Sequence, residues 1–581
     1  MRALGSLCLA LLVAACAAVP SAPDARFQAH VAQVLEEMWQ EFPAYAVRMG
    51  NYKYADRMTV PDAARRERVI AFYDRQLAAL ARLDPAALDA SSRVDFELMK
   101  NRFERGRWEQ LTFKAWQWQP STYNVGGDFD YLLITDFAPL DQRLRFFLAR
   151  LDKVPAYYAA AKANVSDPTL EHTQLALRQN KGSLAVFGPQ LMKKVDASGL
   201  GAEERALFAR RLDAAKAATG DYIAWLTALE TKLEAGPARS FRIGKALYEQ
   251  KFAYDIQSGF TAGQLYRRAL AEKARLHDAM EIRARELWPK YMGDAHVPAD
   301  RLVMIRVVLD ELAKHHARRD RLVQVVREQL PRLAAFVREK DLLDQDETRP
   351  LIVRETPLYM RGSGAGASIS APGPLDPTAN TYYNVTPLDD AFTPEQAESL
   401  LREYNDWTLQ ILNIHEAIPG HYTQLMHANK SKSLVKSLFA NGSMVEGWAV
   451  FGEKTMMDAA YGGGTSEMWL SWMKWNLRTV VNTILDYEIQ TMGLTRDAAI
   501  AMMTREAFQQ QTEATEKWRR ATLSQVQLTS YYNGYAEITA LRDEMRAREG
   551  PAFSVKDFNN KFLSYGSAPV RLIRELMING R

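Results

Sequence analysis

Three runs of residues, Leu351-Ile352-Val353-Arg354, Ala367-Ser368-Ile369-Ser370-Ala371 and Thr381-Tyr382-Tyr383-Asn384-Val385, decide the fold class. They are short, hold β-branched and aromatic residues, and are set apart by Pro350 and the glycine-rich turn 362–366, so they read as three strands of a small sheet. On both sides of them apolar residues recur every three or four positions, which is the period of helices. The expected fold is mainly α, with that sheet set against a helical body.

Upstream, 27–345 carries helical patterning, clearest at 65–82, 140–164, 202–234, 261–287 and 299–340. Pro289 reads as closing one helix, and Pro298 as preceding the start of the next. Downstream, Thr393-Pro394-Glu395-Gln396 is a capping box with proline at the first helical position. Helices are expected near 394–417, 421–438, 443–460, 465–492, 496–513, 515–529, 533–548 and 555–580. The glycine triple 462–464 ends one of them.

The N-terminus is of another kind. A short basic start and an apolar run too short to span a bilayer lead to Val13-Ala14-Ala15-Cys16. Small residues before a cysteine are the pattern of a lipobox, in which Cys16 is acylated. Ala17 after it favours the periplasmic side of the outer membrane in a Gram-negative cell. The division is then signal peptide 1–15, tether 16–26, N-terminal helical region 27–345, and a region 346–581 with the sheet, the site helices and the C-terminal helices. The lipid anchor is the one membrane contact expected. Cys8 and Cys16 are the only cysteines, so the mature chain has no disulfide and no thiolate ligand. A net charge of +4 against 74 basic and 70 acidic residues gives no support for nucleic-acid binding. Nothing in the sequence speaks to oligomeric state.

Six of the nine histidines lie at or before His316; the other three are His415, His421 and His427. Two of these bound His415-Glu416-Ala417-Ile418-Pro419-Gly420-His421. The familiar zinc helix spaces its histidines by four and places a glutamate after the first. A spacing of six turns about 240° on an ideal helix, so the rings diverge unless the helix is reshaped. Pro419 removes an N–H and clashes with the carbonyl of residue 415, and Gly420 tolerates the outcome. The alternative is a plain loop between two helices. Glu446 stands in the apolar stretch Met444-Val445-Glu446-Gly447-Trp448-Ala449-Val450-Phe451, where a carboxylate is costly unless it binds metal or an arginine. Two histidines and one glutamate form a thermolysin-type set for one zinc ion per chain. Glu453, on the same helical face as Glu446, is the expected partner orienting a ligand histidine.

The motifs His415–His421 and Glu446-Gly447-Trp448-Ala449 resemble those of the bacterial domain-of-unknown-function family number 885. So do Ala507-Phe508-Gln509, Glu513-Ala514, Lys517-Trp518 and the tract Gln527 to Gly534. The resemblance covers most of the mature chain and is strongest from about residue 350. It implies a kinship in fold with helical gluzincin peptidases of the thimet-oligopeptidase and neurolysin type. That in turn implies a two-lobed helical clamp with zinc on the floor of a deep central cleft.

The expected chemistry is hydrolysis of peptide bonds in short peptides. His415, His421 and Glu446 would hold a zinc ion that activates water, and Glu416 would serve as base and then acid. Tyr531 is the first candidate to steady the oxyanion, with Tyr532 next and Tyr535 close by; each is otherwise a packing aromatic. Gly366, Ala367 and Ser368 offer a sheet edge to which an extended substrate can add as a strand. Arg361, Arg478 and Arg519 are candidate anchors for a terminal carboxylate or members of structural ion pairs. Two other readings stand: a metal hydrolase on another amide or ester, and a non-catalytic peptide-binding lipoprotein. Glu416 argues against the last, because binding alone has no need of a base.

Overall fold

Apolar spacing of three and four residues becomes helix along most of the chain, and the computed structural model describes residues 22–346, 349–361, 366–376 and 379–579. The signal peptide and Cys16 lie outside the described residues. Part of the expected tether does not. Helix α1 (Ala22–Glu41) begins inside it and buries Asp24 and Phe27, so 22–26 belong to the folded body.

The sheet comprises β1 (Leu351–Glu355), β2 (Ala367–Ser370) and β3 (Thr381–Val385), in the order β1-β3-β2. β1 runs parallel to β3, and β2 antiparallel to it with Ala367 opposite Val385. β3 is therefore central, and four of its five residues are buried. β2 is an edge strand.

Several helices differ from the sequence reading at breakers. Pro289 lies inside α2 (Ala262–Met292), which runs on to Gly293 at φ 56°, because a proline near a C-terminus sacrifices only one hydrogen bond. The segment 299–340 is two helices, Arg301–Leu312 and α3 (Leu322–Glu339). The segment 394–417 is also two, α4 (Pro394–Glu403) and α5 (Thr408–Glu416). They part at Asn405, whose side chain accepts the N–H groups of Trp407 and Thr408 and so starts the second helix. α6 (His421–Ala428) is shorter than expected. α7 (Gly442–Asp458), α8 (Ser466–Thr491), α9 (Gln511–Leu523) and α10 (Ser530–Glu549) complete the surroundings of the site.

Two apolar cores organise these helices. One runs from Phe27 through Val353, Tyr383, Ile414 and Trp448 to Met577. The other joins Trp108, Trp118, the segment 241–312 and the buried faces of 470–532. Neither core follows the expected division at 345/346, because both ends of the chain contribute to the first. Trp407, Met473 and Tyr535 pack against both cores and mark their seam. At that seam α7 crosses α10 glycine on glycine. A Cβ on Gly447 would lie 2.3 Å from Gly534, and one on Gly534 would lie 1.8 Å from the Ser443 carbonyl. That backbone contact brings Glu446 beside the N-terminal turn of α10.

Candidate metal centre

α5 ends at Glu416 and α6 begins at His421, so the six-residue spacing is bridged by a loop, not by a widened turn. The Ile418–Pro419 peptide is cis. The Gly420 N–H bonds back to the Ile414 carbonyl at 3.0 Å, and Trp448 Nε1 holds the Pro419 carbonyl at 2.9 Å. Gly420 is needed for space: its φ is −73°, but a Cβ there would sit 1.8 Å from the His415 carbonyl oxygen. The loop folds the second helix back on the first and leaves the two imidazoles 4.8 Å apart, centroid to centroid, at 84°.

Glu446 completes the group. Its Oε2 lies 3.6 Å from His415 Nε2 and 3.3 Å from His421 Nε2. Donors held ~2.1 Å from a tetrahedral zinc ion sit roughly 3.4 Å from one another; the two His–Glu separations match this, and all three ligand atoms lie within 4.8 Å of one another, so the residues present fit such an ion with at most a small inward shift. Among the described residues, these three form the one cluster of His, Cys, Asp or Glu with convergent ligand atoms. Glu446 Oε2 is buried and accepts no hydrogen bond, as expected of an atom reserved for a cation. On the far side of His415, Nδ1 donates to Glu453 Oε1 at 2.7 Å. Trp475 Nε1 donates to the same oxygen at 3.1 Å. Burial pushes the His415 imidazole down, but the carboxylates of Glu446 and Glu453 on either side outweigh it and raise its pKa to about 10.

Glu416 is buried and lines the cavity of about 330 Å³ beside the cluster. Burial lifts its carboxyl above the ordinary range, while His421 and His415 draw it back down. Tyr531 stacks on the His415 ring at 6.1 Å and 26°. Its hydroxyl accepts from Arg520 Nη2 at 2.7 Å and from Gln527 Nε2 at 3.3 Å, so its own proton is free to donate into the cavity. Burial holds that phenol protonated.

Gly366, Ala367 and Ser368 line the same cavity, as does Ile369 of β2. Tyr532 and Tyr535 do not. The Tyr532 hydroxyl reaches the Arg268 carbonyl at 3.4 Å, and Tyr535 packs in the seam between the cores. One turn of helix α10 presents only Tyr531 to the cluster. Arg478 lines the cavity but is paired with Glu513 at 2.5 Å. Arg361 and Arg519 line an adjoining cavity of about 670 Å³, paired with Glu355 and Glu516. The sequence reading passed over Lys517, Arg520 and Gln527 as functional groups. Gln527 Nε2 donates to Glu446 Oε1 at 3.3 Å, and Arg520 donates to Gln527 Oε1 at 3.1 Å.

Comparison with known proteins agrees with the motifs. The model of a bacterial protein family of unknown function, DUF885, matches residues 43–577. The chain belongs to this family. Among solved structures, the chain is similar to one described as a lipoprotein of unknown function from Shewanella oneidensis. It is 50% identical, with a TM-score of 0.82, and the match covers 95% of this chain and 99% of that one. A candidate lipoprotein from Colwellia psychrerythraea shares the fold at 15% identity, with a TM-score of 0.74 and 96% and 98% coverage. No functionally curated protein matches this DUF885 chain. No described helix is long and apolar enough to cross a membrane.

Proposed function

We propose that this DUF885 protein is a zinc-dependent peptidase, gluzincin-like in its ligand set, acting on short peptides. The observation that carries the reading is the convergence of His415, His421 and Glu446 at metal-ligand spacing, with Glu416 next to the first ligand. A zinc ion there would supply Lewis acidity and an activated water. Glu416, desolvated yet held between two imidazoles, takes a proton at its carboxylate and returns it to the leaving nitrogen. Tyr531 donates its free O–H to the oxygen that gains charge, and Arg520 and Gln527 keep that hydroxyl aimed. β2 offers its free edge to an extended backbone, and the two adjoining cavities give the chain room on either side of Gly366, Tyr404 and Leu412.

Export with a lipid on Cys16, on the periplasmic face of the outer membrane, completes the proposal. It is supported by the N-terminal sequence and by the lipoprotein character given to the Shewanella oneidensis relative.

Metal analysis of purified protein should find about one zinc per chain, lost in His415→Ala. Glu416→Gln should retain zinc and fail to cut any member of a peptide library read by mass spectrometry. A metal-free wild type, or a Glu416→Gln enzyme that still turns over, would refute the reading.

A further inference from the structure

One wall of the site cavity carries more positive charge than the fold neutralises. Arg478, Lys517 and Arg520 line it and Lys474 lies nearby; the carboxylates among them are Glu403 and Glu513, with Glu446 facing Arg520 across Gln527. Lys474 is matched by Glu403 at 2.9 Å, and Arg478 by Glu513 at 2.5 Å. Arg478 Nη1 stays buried with no hydrogen-bond partner and lies 3.9 Å from Glu403. Lys517 is 3% exposed, lines the cavity, and its ammonium makes no hydrogen bond or salt bridge among the described residues. Burial, with Arg478 and Arg520 close by, drives this amine far below its ordinary range. An amine in such a place without a partner is costly to the fold, whether it keeps its charge unpaired or gives up its proton. A fold that gains nothing from such a group has every reason to replace it with leucine or methionine.

We infer that Lys517, with Arg478 and Arg520, forms a subsite for a carboxylate of the substrate. The inference rests on the peptidase reading and narrows it. A carboxylate entering the cavity would bring negative charge, accept from Arg478 Nη1, and favour uptake of a proton by Lys517, whose ammonium would then donate to it. The subsite is also close to the metal ligands. Arg520 is joined to Glu446 through one side-chain amide, that of Gln527. An extended residue spans ~3.5 Å, so there is room for one or two residues between the bond that is cut and the carboxylate. The substrate class is then a peptide cut one or two residues from a free C-terminus.

The test uses zinc-loaded Glu416→Gln protein, so that binding is read without turnover. Calorimetric titration compares N-acetyl-tetra-alanine as the free acid, its C-terminal amide, and N-acetyl-Ala-Ala-Ala-Asp-amide. The acid should bind about tenfold or more tighter than the tetra-alanine amide. Adding Lys517→Met should abolish the difference, and Lys517→Arg should keep it. Lys517→Met should fold well, since it replaces a buried amine that has no partner with an apolar side chain of similar length, and its melting temperature checks this. Tight binding of the aspartate amide supports the carboxylate subsite with a side chain as its source; weak binding assigns the subsite to the C-terminus. Equal affinity for acid and amide, or a preference that survives Lys517→Met, overturns the inference. Wild-type enzyme that cuts acid and amide alike sinks the subsite and leaves the peptidase standing. Discrimination in binding with no cleavage of any peptide does the reverse.

Discussion

His415 is held from behind by Glu453: Nδ1 donates to Glu453 Oε1 at 2.7 Å, and this leaves Nε2 aimed at Glu446 Oε2, 3.6 Å away. With Nδ1 committed to Glu453, loss of the other ring proton would present the Nε2 lone pair, the form a metal ligand needs. Glu453 is fully buried on α7, two turns beyond Glu446, so one helix supplies both the glutamate of the cluster and the brace for His415.

Glu453→Gln tests the brace. A glutamine oxygen can still accept from Nδ1, so the ring should stay in place, but the negative charge behind it is lost. Zinc affinity, read by competition with a chelator of known strength, should fall roughly 10- to 100-fold. Unchanged affinity would reduce Glu453 to a packing partner.

Gly420→Ala should be among the most damaging small substitutions in the chain. Its new Cβ would meet the His415 and Ile414 carbonyl oxygens at 1.8 and 2.3 Å, and backbone cannot swing aside. The loss should reach or pass the upper end of the ~1–3 kcal/mol seen for overpacked cores. Gly452→Ala is the control. Its Cβ would meet Pro419 Cγ at 3.4 Å, an ordinary contact, and alanine favours the helix by about 1 kcal/mol. Thermal melts of the two variants should therefore move in opposite directions, or Gly452→Ala should stay level with wild type.

The cluster His415, His421 and Glu446 was legible because its signal is local: two histidines, an adjacent glutamate, and a carboxylate in an apolar helix each stand out in a window of a few residues. The strands were legible for the same reason, since 351–355, 367–370 and 381–385 are where the helical period lapses. The loop at Pro419 was one of two readings, and spacing alone had no means of choosing between a reshaped helix and a break. Lys517 and Arg520 were not legible. The run Glu516-Lys517-Trp518-Arg519-Arg520 has the composition of a solvated helix face, and only the packing of α9 against distant elements buries Lys517 within it. Tyr531, Tyr532 and Tyr535 came as a tract. Which ring faces the metal ligands depends on where α10 begins and on the Gly447–Gly534 crossing, both of which are tertiary.

Tyr531→Phe separates positioning of charge from metal binding. The phenyl ring can keep its stacking on His415, and Arg520 and Gln527 remain to pair with each other. Zinc content and KM should hold, while kcat falls on the order of 100-fold, as for loss of one oxyanion donor. Loss of zinc in step with activity would instead make the tyrosine a support for the ligands.

Asp486 gives a pH prediction away from the metal ligands. It lies fully buried on α8, with Tyr248 donating to Oδ2 at 3.0 Å. Burial raises its pKa from 3.8 to about 7, against the opposing hydrogen bonds from Tyr248 and the Val526 backbone. Between these two values the folded chain keeps the proton and the unfolded chain does not. Stability from this group is thus complete below pH ~3.8 and is lost as pH rises toward 7, by about 1.4 kcal/mol per unit. Asp486→Asn keeps a neutral group that can accept from Tyr248 and cannot ionise. Chemical denaturation of both proteins at pH 5 and pH 7 should show the variant gaining on wild type as pH rises. Parallel behaviour of the two across that window would mean that Asp486 is already ionised in the fold.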